Sequence, residues 1–272
     1  MGDCPQERRH LGTVPSMLTG RIAVVTGSTS GIGRGIAVRL AELGAKVVVH
    51  GRDEAGARHT LDAIEAAGGK AAWHRADLAD AAACGGLIDF AKQTFGGLDI
   101  LVNNAALTTR GDIETVPLDV IDSILAVNLR APLLLTQAAI PLLKVNGGAI
   151  VNIGSVNAYI GEPKLCPYSV SKGGLMTLTK NTSSFLNQYR IRVNQINVGW
   201  TLTEGEQKVK TEGEGLGPEW LDEAIKTRPF GRMLLPKDIA YAAAYFASDE
   251  SECVTGSVMD LEQYPVGAPP NW

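Results

Sequence analysis

The sequence is poor in the features that mark several large classes of protein. Its four cysteines lie far apart and form no Cys-x-x-Cys pair, so it does not look like a disulfide-stapled secreted domain. No run of about 18 apolar residues occurs, and the N-terminus lacks the apolar segment of an export signal. These absences predict a soluble protein of a reducing compartment, the cytoplasm, with no membrane span and no metal site.

An excess of charge of one sign is also missing. The 25 Lys and Arg residues against 29 Asp and Glu residues give a formal net charge of -4. Nothing therefore attracts the whole chain to phosphate backbones or anionic lipid, and neither nucleic acid nor a membrane is expected as a partner. Apolar residues make up 45% of the 272 positions, which is enough for the core of an α/β domain.

Short apolar runs alternate with helical patterns along the chain. After RIAVVT at 21–26 and a glycine-rich turn, Ile32, Ile36, Leu40 and Leu43 share one face of a helix. Continuous Val, Ile and Leu runs are typical of strands buried on both faces, and their alternation with helices favours parallel pairing. We expect an α/β fold, a doubly wound Rossmann-type parallel sheet of about seven strands with helices on both faces. The other predicted strands lie at 46–50, 71–77, 98–105, 149–155, 191–197 and 257–261.

Two segments stand outside this alternation. Residues 1–17 are expected to be a flexible leader, or alternatively an arm over a neighbouring subunit, and residues 18–272 a single domain. The segment 200–232 is polar, rich in glycine and longer than a usual connection. It is interpreted as a small ordered lid over the substrate, with a solvated excursion as the alternative. The lid interpretation depends on four large apolar residues, Trp220, Leu221, Ile225 and Phe230.

The turn after the first strand reads TGSTSGIG, Thr26 to Gly33. Glycines at 27, 31 and 33 let the backbone turn sharply and approach a pyrophosphate, and the first turn of the following helix offers free N–H groups to the anion. Because a strand precedes the turn and a helix follows it, the motif has the context that a dinucleotide site requires.

The end of the second strand bears on the choice of dinucleotide. An acidic residue there would bind the ribose hydroxyls and repel a 2′-phosphate, but VVVHGRDE places Gly51 at that position and Arg52 after it. A small residue leaves room for a phosphate, and a guanidinium suits one, so NADP(H) is preferred over NAD(H). Asp53 and Glu54 stand close by, however, and Arg52 as a plain surface cation is the alternative.

The stretch CPYSVSKGG places Tyr168 and Lys172 four residues apart on one helical face, with Pro167 placed to open the helix. An ammonium beside a phenol stabilises the phenolate, and the positive charge of an oxidised nicotinamide would add to this effect. The pair therefore predicts a general acid/base whose pKa is lowered from its free value of about 10 by both charges together. Ser155 ends the strand AIVNI, at the edge where open α/β sheets bind ligands. A hydroxyl there can hold the substrate oxygen.

Asn128 lies in ILAVNLRAP, an apolar helical stretch in which a buried asparagine needs hydrogen-bond partners. It is interpreted either as the site of a helix bend satisfied by one water or as the holder of a water that carries protons to Lys172. The two interpretations are compatible.

With these residues assembled, the chain resembles the short-chain dehydrogenase/reductase family, in its classical branch, from about residue 19 to residue 261. The resemblance implies hydride transfer between a nicotinamide and a carbinol or carbonyl carbon. Asn128, Ser155, Tyr168 and Lys172 match the family's catalytic tetrad, and a homotetramer or homodimer is expected. The residues that match or are assigned to cofactor binding are Gly27, Ser30, Gly31, Ile32, Gly33, Arg52, Asp77, Leu78, Asn104, Ala105, Lys172 and Thr203.

Three departures from the family pattern stand out. Ala106 replaces the last glycine of Asn-Asn-Ala-Gly, which is a mild change. Val198 replaces the proline of Asn-Pro-Gly, so the loop that enters the nicotinamide site is expected to be less rigid. The usual C-terminal Asp-Gly-Gly reads Asp260-Leu261-Glu262, and the tail after it is interpreted as an arm toward a neighbouring subunit.

The substrate is predicted from a mixed polar and aromatic set, in which Asn157, Glu162 and Trp200 are assigned to substrate binding. Hydroxyl-rich substrates need such partners, so a polyol, a sugar or a small hydroxy acid is favoured. A hydrophobic ketone or 3-oxoacyl substrate is one alternative. An epimerase or dehydratase with tightly held cofactor, and a dinucleotide-sensing protein without catalysis, are alternatives of other classes.

Overall fold

The computed structural model describes residues 17–267, so the predicted leader, apart from Met17, and the end of the C-terminal tail lie outside the described residues. Seven parallel strands form one sheet in the order β3-β2-β1-β4-β5-β6-β7. This order confirms the predicted Rossmann-type fold class. The strands are β1 (Ile22–Val25), β2 (Lys46–His50), β3 (Lys70–His74), β4 (Ile100–Asn103), β5 (Gly148–Ser155), β6 (Ile191–Val198) and β7 (Val258–Leu261).

Helices connect the strands and cover both faces of the sheet. Their bounds are α1 (Gly31–Glu42), α2 (Glu54–Ala66), α3 (Ala81–Phe95), α4 (Leu118–Leu125), α5 (Ala131–Leu143), α6 (Asn157–Ile160), α7 (Cys166–Leu186), α8 (Glu204–Lys208), α9 (Trp220–Lys226) and α10 (Pro236–Ala247). A π-helical turn, Ala126–Arg130, joins α4 to α5. Among the described residues, none of the helices combines the length and the apolar character needed to span a bilayer.

The valine-rich strands are buried because each face of the sheet packs against helices. On one face, Ile36 and Leu40 of α1 lie in the same apolar cluster as Phe246 of α10. On the other face, Leu87 of α3 and Leu135 of α5 belong to a second cluster. Because the strand order reverses direction between β1 and β4, the loops after these two strands diverge and leave a crevice, where such folds bind ligands.

A row of hydrogen-bonded side chains runs across the second half of the sheet, and we call it the amide ladder. Its members, Asn103, Asn152, Thr179, Gln195 and Asn197, are each at most 3% exposed. The bonds between neighbours measure 2.7–2.9 Å, and Asn197 Nδ2 finally donates to Asp260 at 3.0 Å. Hydrogen-bonded side chains thus tie β4, β5, β6 and β7 to one another and to α7, and Asn103 Oδ1, at the end of the row, has no hydrogen-bond partner among the described residues.

The segment 200–232 contains α8, a π-helical turn and α9. Trp220, Ala224 and Met233 form a small apolar cluster of their own, with Leu221 and Ile225 packed against it. Phe230, in contrast, is 77% exposed, so the prediction that it packs within this segment is wrong.

Candidate functional site

The glycine turn is packed directly against the loop after β4. Gly27 has a φ of 62°, which favours glycine, and a Cβ on it would lie 2.8 Å from Ala105 Cα. A Cβ on Gly33 would lie 2.2 Å from the carbonyl oxygen of Gly27. Asn104 Nδ2 donates to the carbonyl oxygens of Thr26 and Gly27 at 2.9 and 3.1 Å. The sequence therefore needs glycine at both positions to close this turn.

A cleft of about 650 Å³ opens beside the turn, at the N-terminus of α1. The residues predicted to bind the cofactor line it, with the exception of Lys172. They are Gly27, Ser30, Gly31, Ile32, Gly33, Arg52, Asp77, Leu78, Asn104, Ala105 and Thr203. The first turn of α1 contains no acidic residue and presents backbone N–H groups to an anion. The residues present thus fit a dinucleotide.

At the rim of the cleft, Arg52 is exposed and pairs with Asp77 at 3.0 Å. The backbone N–H of Ala79 and the Arg52 guanidinium both lower the pKa of Asp77, against the opposing effect of its partial burial. A Cβ on Gly51 would lie 2.6 Å from Thr29 Cγ2, so any side chain there would require Thr29 to shift.

Tyr168 and Lys172 lie one turn apart in α7, which begins with Pro167 in its first turn. Lys172 is 3% exposed, and its Nζ donates to the carbonyl oxygen of Ile153 at 2.8 Å and lies 5.6 Å from the centre of the Tyr168 ring. Ser155 ends β5 and is 6% exposed. The structure therefore brings Ser155, Tyr168 and Lys172 together at the carboxyl edge of the sheet.

Burial perturbs both titratable groups of this trio. It lowers the pKa of Lys172 to about 8, because the ammonium loses its hydration. It also raises the pKa of Tyr168, which the hydrogen bond from Ser155 only partly offsets. The lowered tyrosine pKa expected from sequence thus requires positive charge beyond that of Lys172 alone.

Asn128 lies in the π-helical turn and is 1% exposed. Its Oδ1 accepts from the backbone N–H of Leu107 at 2.8 Å, while its Nδ2 donates to the Leu107 carbonyl at 2.9 Å and to Ser171 Oγ at 3.1 Å. Protein groups, rather than one water at a helix bend, satisfy the side chain. Asn128 thereby connects the loop after β4 to the residue that precedes Lys172.

The three residues assigned to substrate are spread more widely. Asn157 begins α6, and its backbone N–H donates to Ser155 Oγ at 3.2 Å. Glu162 lies on the exposed turn between α6 and α7. Trp200 packs 6.2 Å from Trp220, and its Nε1 donates to Glu206 at 2.7 Å. Asn157 therefore lies beside Ser155, whereas Trp200 belongs to the cluster of the 200–232 segment.

Two of the departures from the family pattern meet in space. Val198 pairs with Leu261 across β6 and β7, and the next residue, Glu262, accepts the backbone N–H of Trp200 at 3.1 Å. A Cβ on Gly199 would lie 2.1 Å from Glu262 Oε2. The Glu262 carboxylate thus restrains the loop that the missing proline was expected to leave less rigid.

The comparisons with known proteins agree with this geometry. A family model described as enoyl-(acyl carrier protein) reductase matches residues 27–262. The chain is 33% identical over 252 residues to D-beta-hydroxybutyrate dehydrogenase of Cupriavidus necator, covering 90% of this chain and 98% of that protein. It is 34% identical to glucose 1-dehydrogenase 2 of Bacillus subtilis, covering 90% and 94%. A solved 3-oxoacyl (acyl-carrier-protein) reductase of Agrobacterium tumefaciens with NADP bound superposes with a TM-score of 0.83 at 28% identity, covering 91% and 95%.

The chain belongs to the short-chain dehydrogenase/reductase family and is an NAD(P)-dependent oxidoreductase that acts on CH–OH groups.

Sequence reasoning missed His50 and Glu262 as parts of the site. His50 is the last residue of β2 and accepts the backbone N–H of Gly27 through Nδ1 at 3.1 Å. A histidine that ends the run KVVVH, directly before Gly51, was the available signal. For Glu262 the available signal was that it and Val198 depart from the family's motifs at the ends of two consecutive strands.

Proposed function

We propose that this protein transfers a hydride between NADP(H) and a secondary alcohol or ketone, with a polyol, a sugar or a small hydroxy acid as substrate. The observation that carries the proposal is the placement of Ser155, Tyr168 and Lys172 together at the edge of the sheet where the dinucleotide cleft opens. No arrangement of this kind is needed to hold the fold, since burying the Lys172 ammonium carries a desolvation penalty.

In the proposed mechanism, Tyr168 gives a proton to the substrate oxygen during reduction and removes it during oxidation. Ser155 holds the same oxygen by a hydrogen bond. Lys172, protonated at neutral pH, favours the phenolate, and its bond to Ile153 keeps the ammonium in place. Asn128 acts by fixing α7 relative to the loop that follows β4, through its bonds to Ser171 and Leu107. A water beside Asn128 would complete the path of the proton. The nicotinamide, when bound, supplies or accepts the hydride.

Support for NADP(H) over NAD(H) comes from the end of β2. Gly51 has no side chain that would repel a 2′-phosphate, and an acid in its place would require Thr29 to shift. Arg52 lies at the rim of the cleft and forms an ion pair with Asp77. A bound 2′-phosphate could replace Asp77 as the partner of the Arg52 guanidinium and would carry more negative charge.

Support for a hydroxylated substrate comes from the polar groups around Ser155. Asn157 is hydrogen-bonded to Ser155 Oγ through its backbone, and Tyr159 lies beside the Asp260 carboxylate, where burial and that charge raise its pKa. The relatives act, by their names, on a hydroxy acid, a sugar and a 3-oxoacyl group, so a 3-oxoacyl or hydrophobic ketone substrate is the competing proposal.

We further propose that 18–272 is one domain, that the 200–232 segment is a lid and that the protein works in the cytoplasm as a homotetramer or homodimer. Arg110, in the loop after β4, pairs with Glu214 of the segment and would hold such a lid in place. Exposed apolar side chains on α5 and α7, Leu133, Val170 and Phe185, are suited to contacts between subunits.

The test is a spectrophotometric screen of alcohols and ketones with both cofactors, applied to the wild type and to Tyr168→Phe. We expect turnover with sugars, polyols or hydroxy acids, and we expect the variant to lose turnover while its NADPH affinity, measured by fluorescence, stays the same. Turnover of hydrophobic ketones alone would refute the substrate proposal. Unaltered turnover in Tyr168→Phe would refute the mechanism.

A further inference from the structure

The chain directly after β7 holds the far end of the 200–232 segment, and we call residues 262–264 the C-terminal clasp. Gln263 Oε1 accepts the backbone N–H of Phe230 at 3.1 Å, and Gln263 Nε2 donates to the carbonyl oxygen of Arg232 at 2.7 Å. One side-chain amide thus binds two backbone groups of the segment. The end of the segment is thereby fixed to the end of the sheet.

Tyr264 adds a second type of contact, because its hydroxyl and its ring both reach the segment. The hydroxyl donates to the carbonyl oxygen of Thr227. The guanidinium carbon of Arg228 lies 5.1 Å from the centre of the Tyr264 ring and 5.3 Å from the centre of the Trp200 ring. At both distances a cation and an aromatic ring attract each other. The Arg228 guanidinium thus joins the last residue of the clasp to the first residue of the segment.

The first residue of the segment is bound by the clasp through its backbone as well. Glu262 accepts the backbone N–H of Trp200 at 3.1 Å, and the N–H of Leu202 donates to the carbonyl oxygen of Leu234 at 2.8 Å. The segment therefore enters and leaves at one place, and the clasp contacts both of its ends. Segments attached in this way can move as units about their ends, as the lids of enzymes do.

The apolar cluster of the segment holds the segment together without attaching it to the sheet, because all its members lie between residues 200 and 233. The attachments to the rest of the chain include the ion pairs of Glu204 with Arg34 and of Glu214 with Arg110. Exposed ion pairs contribute little. The clasp adds hydrogen bonds and a cation–π contact at the two ends, where a small displacement moves the whole segment.

We propose that the C-terminal clasp holds the 200–232 segment over the substrate site of its own subunit, with Tyr264 and Arg228 as positioning residues for substrate binding. This role rests on the proposed function of the segment as a lid. When the clasp is released, the lid spends more time open, and the apparent affinity for substrate falls in proportion to the closed fraction. The catalytic residues do not move, so the rate of the chemical step stays the same.

The first experiment is limited proteolysis with trypsin, which needs no substrate. Trypsin cleaves after Lys226, whose side chain is 68% exposed, and the next residue, Thr227, carries the carbonyl that Tyr264 binds. The rate of such a cleavage follows the population of the open form. We expect Tyr264→Leu to raise this rate about two- to fivefold, which corresponds to the loss of one cation–π contact at a partly exposed site. Tyr264→Phe, which keeps the ring, should lie closer to the wild type.

Two controls separate a local opening from general unfolding. Cleavage after Arg192, within β6 and next to the fully buried Val193, reports global unfolding and should not change. Tyr241→Leu is the matched variant, because Tyr241 is exposed and makes the same kind of contact with Arg39, at 5.3 Å. It should leave the cleavage after Lys226 unchanged. If Tyr264→Leu did not change that cleavage, or accelerated both cleavages equally, the proposal would be overturned.

The second experiment measures steady-state kinetics with a substrate from the spectrophotometric screen. Tyr264→Leu and Arg228→Ala should each raise KM about two- to fivefold with kcat little changed. Arg228→Lys, which keeps a cation between the two rings, should restore most of the loss. A lower kcat at an unchanged KM would contradict a positioning role.

The outcomes also distinguish the clasp from the proposals on which it builds. If the wild type turned over none of the substrates in the screen, the proposed function would fail, while faster cleavage after Lys226 in Tyr264→Leu would still support the clasp. From sequence, the tail was interpreted as an arm toward a neighbouring subunit. A Tyr264→Leu variant that sedimented as a smaller oligomer with unchanged cleavage after Lys226 would favour that arm and refute the clasp.

Discussion

Replacing Gly154 by alanine is expected to disrupt the amide ladder. Gly154 lies in β5 directly beneath the bond between Gln195 and Asn197, which measures 2.7 Å from Nε2 to Oδ1. A Cβ at position 154 would lie 2.2 Å from Asn197 Oδ1 and 2.4 Å from Gln195 Nε2. Both amide groups belong to fully buried side chains, so neither can move toward water.

The expected cost follows from two contributions. Forcing a methyl group into a packed interior costs about 1–3 kcal/mol. Separating the two amides leaves a buried donor and a buried acceptor without partners, at about 1–3 kcal/mol each. The free energy of unfolding of Gly154→Ala should therefore be lower than that of the wild type by at least about 3 kcal/mol. This is a large part of the roughly 5–15 kcal/mol by which a typical domain is stable.

Urea unfolding followed by circular dichroism gives the measurement. Gly86→Ala is the matched control, because Gly86 lies within α3 and a Cβ there would meet no atom within 4 Å. The free energy of unfolding of Gly86→Ala should rise by about 0.5–1 kcal/mol, because alanine has a higher helix propensity than glycine. If Gly154→Ala unfolded at the same urea concentration as the wild type, the Gln195 and Asn197 amides would not be held as rigidly as described above.

Two further predictions concern activity. Burial lowers the pKa of Lys172 to about 8, so the charge of its ammonium is present below that pH and lost above it. The kcat for carbonyl reduction should therefore fall as the pH rises through about 8. A kcat that stays constant up to pH 10 would contradict the proposed role of Lys172. Arg110→Ala should release the proposed lid from Glu214 and raise KM by up to about fivefold, the worth of an exposed ion pair, with kcat little changed. Lys208→Ala, whose pair with Glu212 stays within the segment, is the control, and an equal effect there would refute the Arg110 argument.

The strand and helix pattern was readable from the sequence because the central strands are short runs of mainly apolar residues buried on both faces. β1 and β4 are buried at every position, whereas the edge strands β3 and β7 are only partly buried. The glycine turn and the Tyr168 and Lys172 pair were also readable, because their spacing within one strand-turn-helix unit or one helix fixes their relative placement.

The features that sequence reasoning missed depend on contacts between distant elements. The partner of Asn128 is the backbone of Leu107, and Glu262 reaches the backbone of Trp200; backbone groups carry no residue-specific signal in the sequence. The exposure of Phe230 was missed because the sequence does not show whether an apolar residue in a loop faces the protein or the solvent.

The π-helical turn at Ala126–Arg130 has a consequence for how the chain tolerates change. Such a turn winds one additional residue into a helix, and each residue advances an α-helix by about 100°. Deleting a single residue there would restore a regular α-helix with little rotation of α5 relative to α4, because the wide turn already absorbs the additional residue, but it would move Asn128 out of the position from which it bonds Leu107. A deletion in this short stretch should thus reduce activity more than it disturbs the packing of α5.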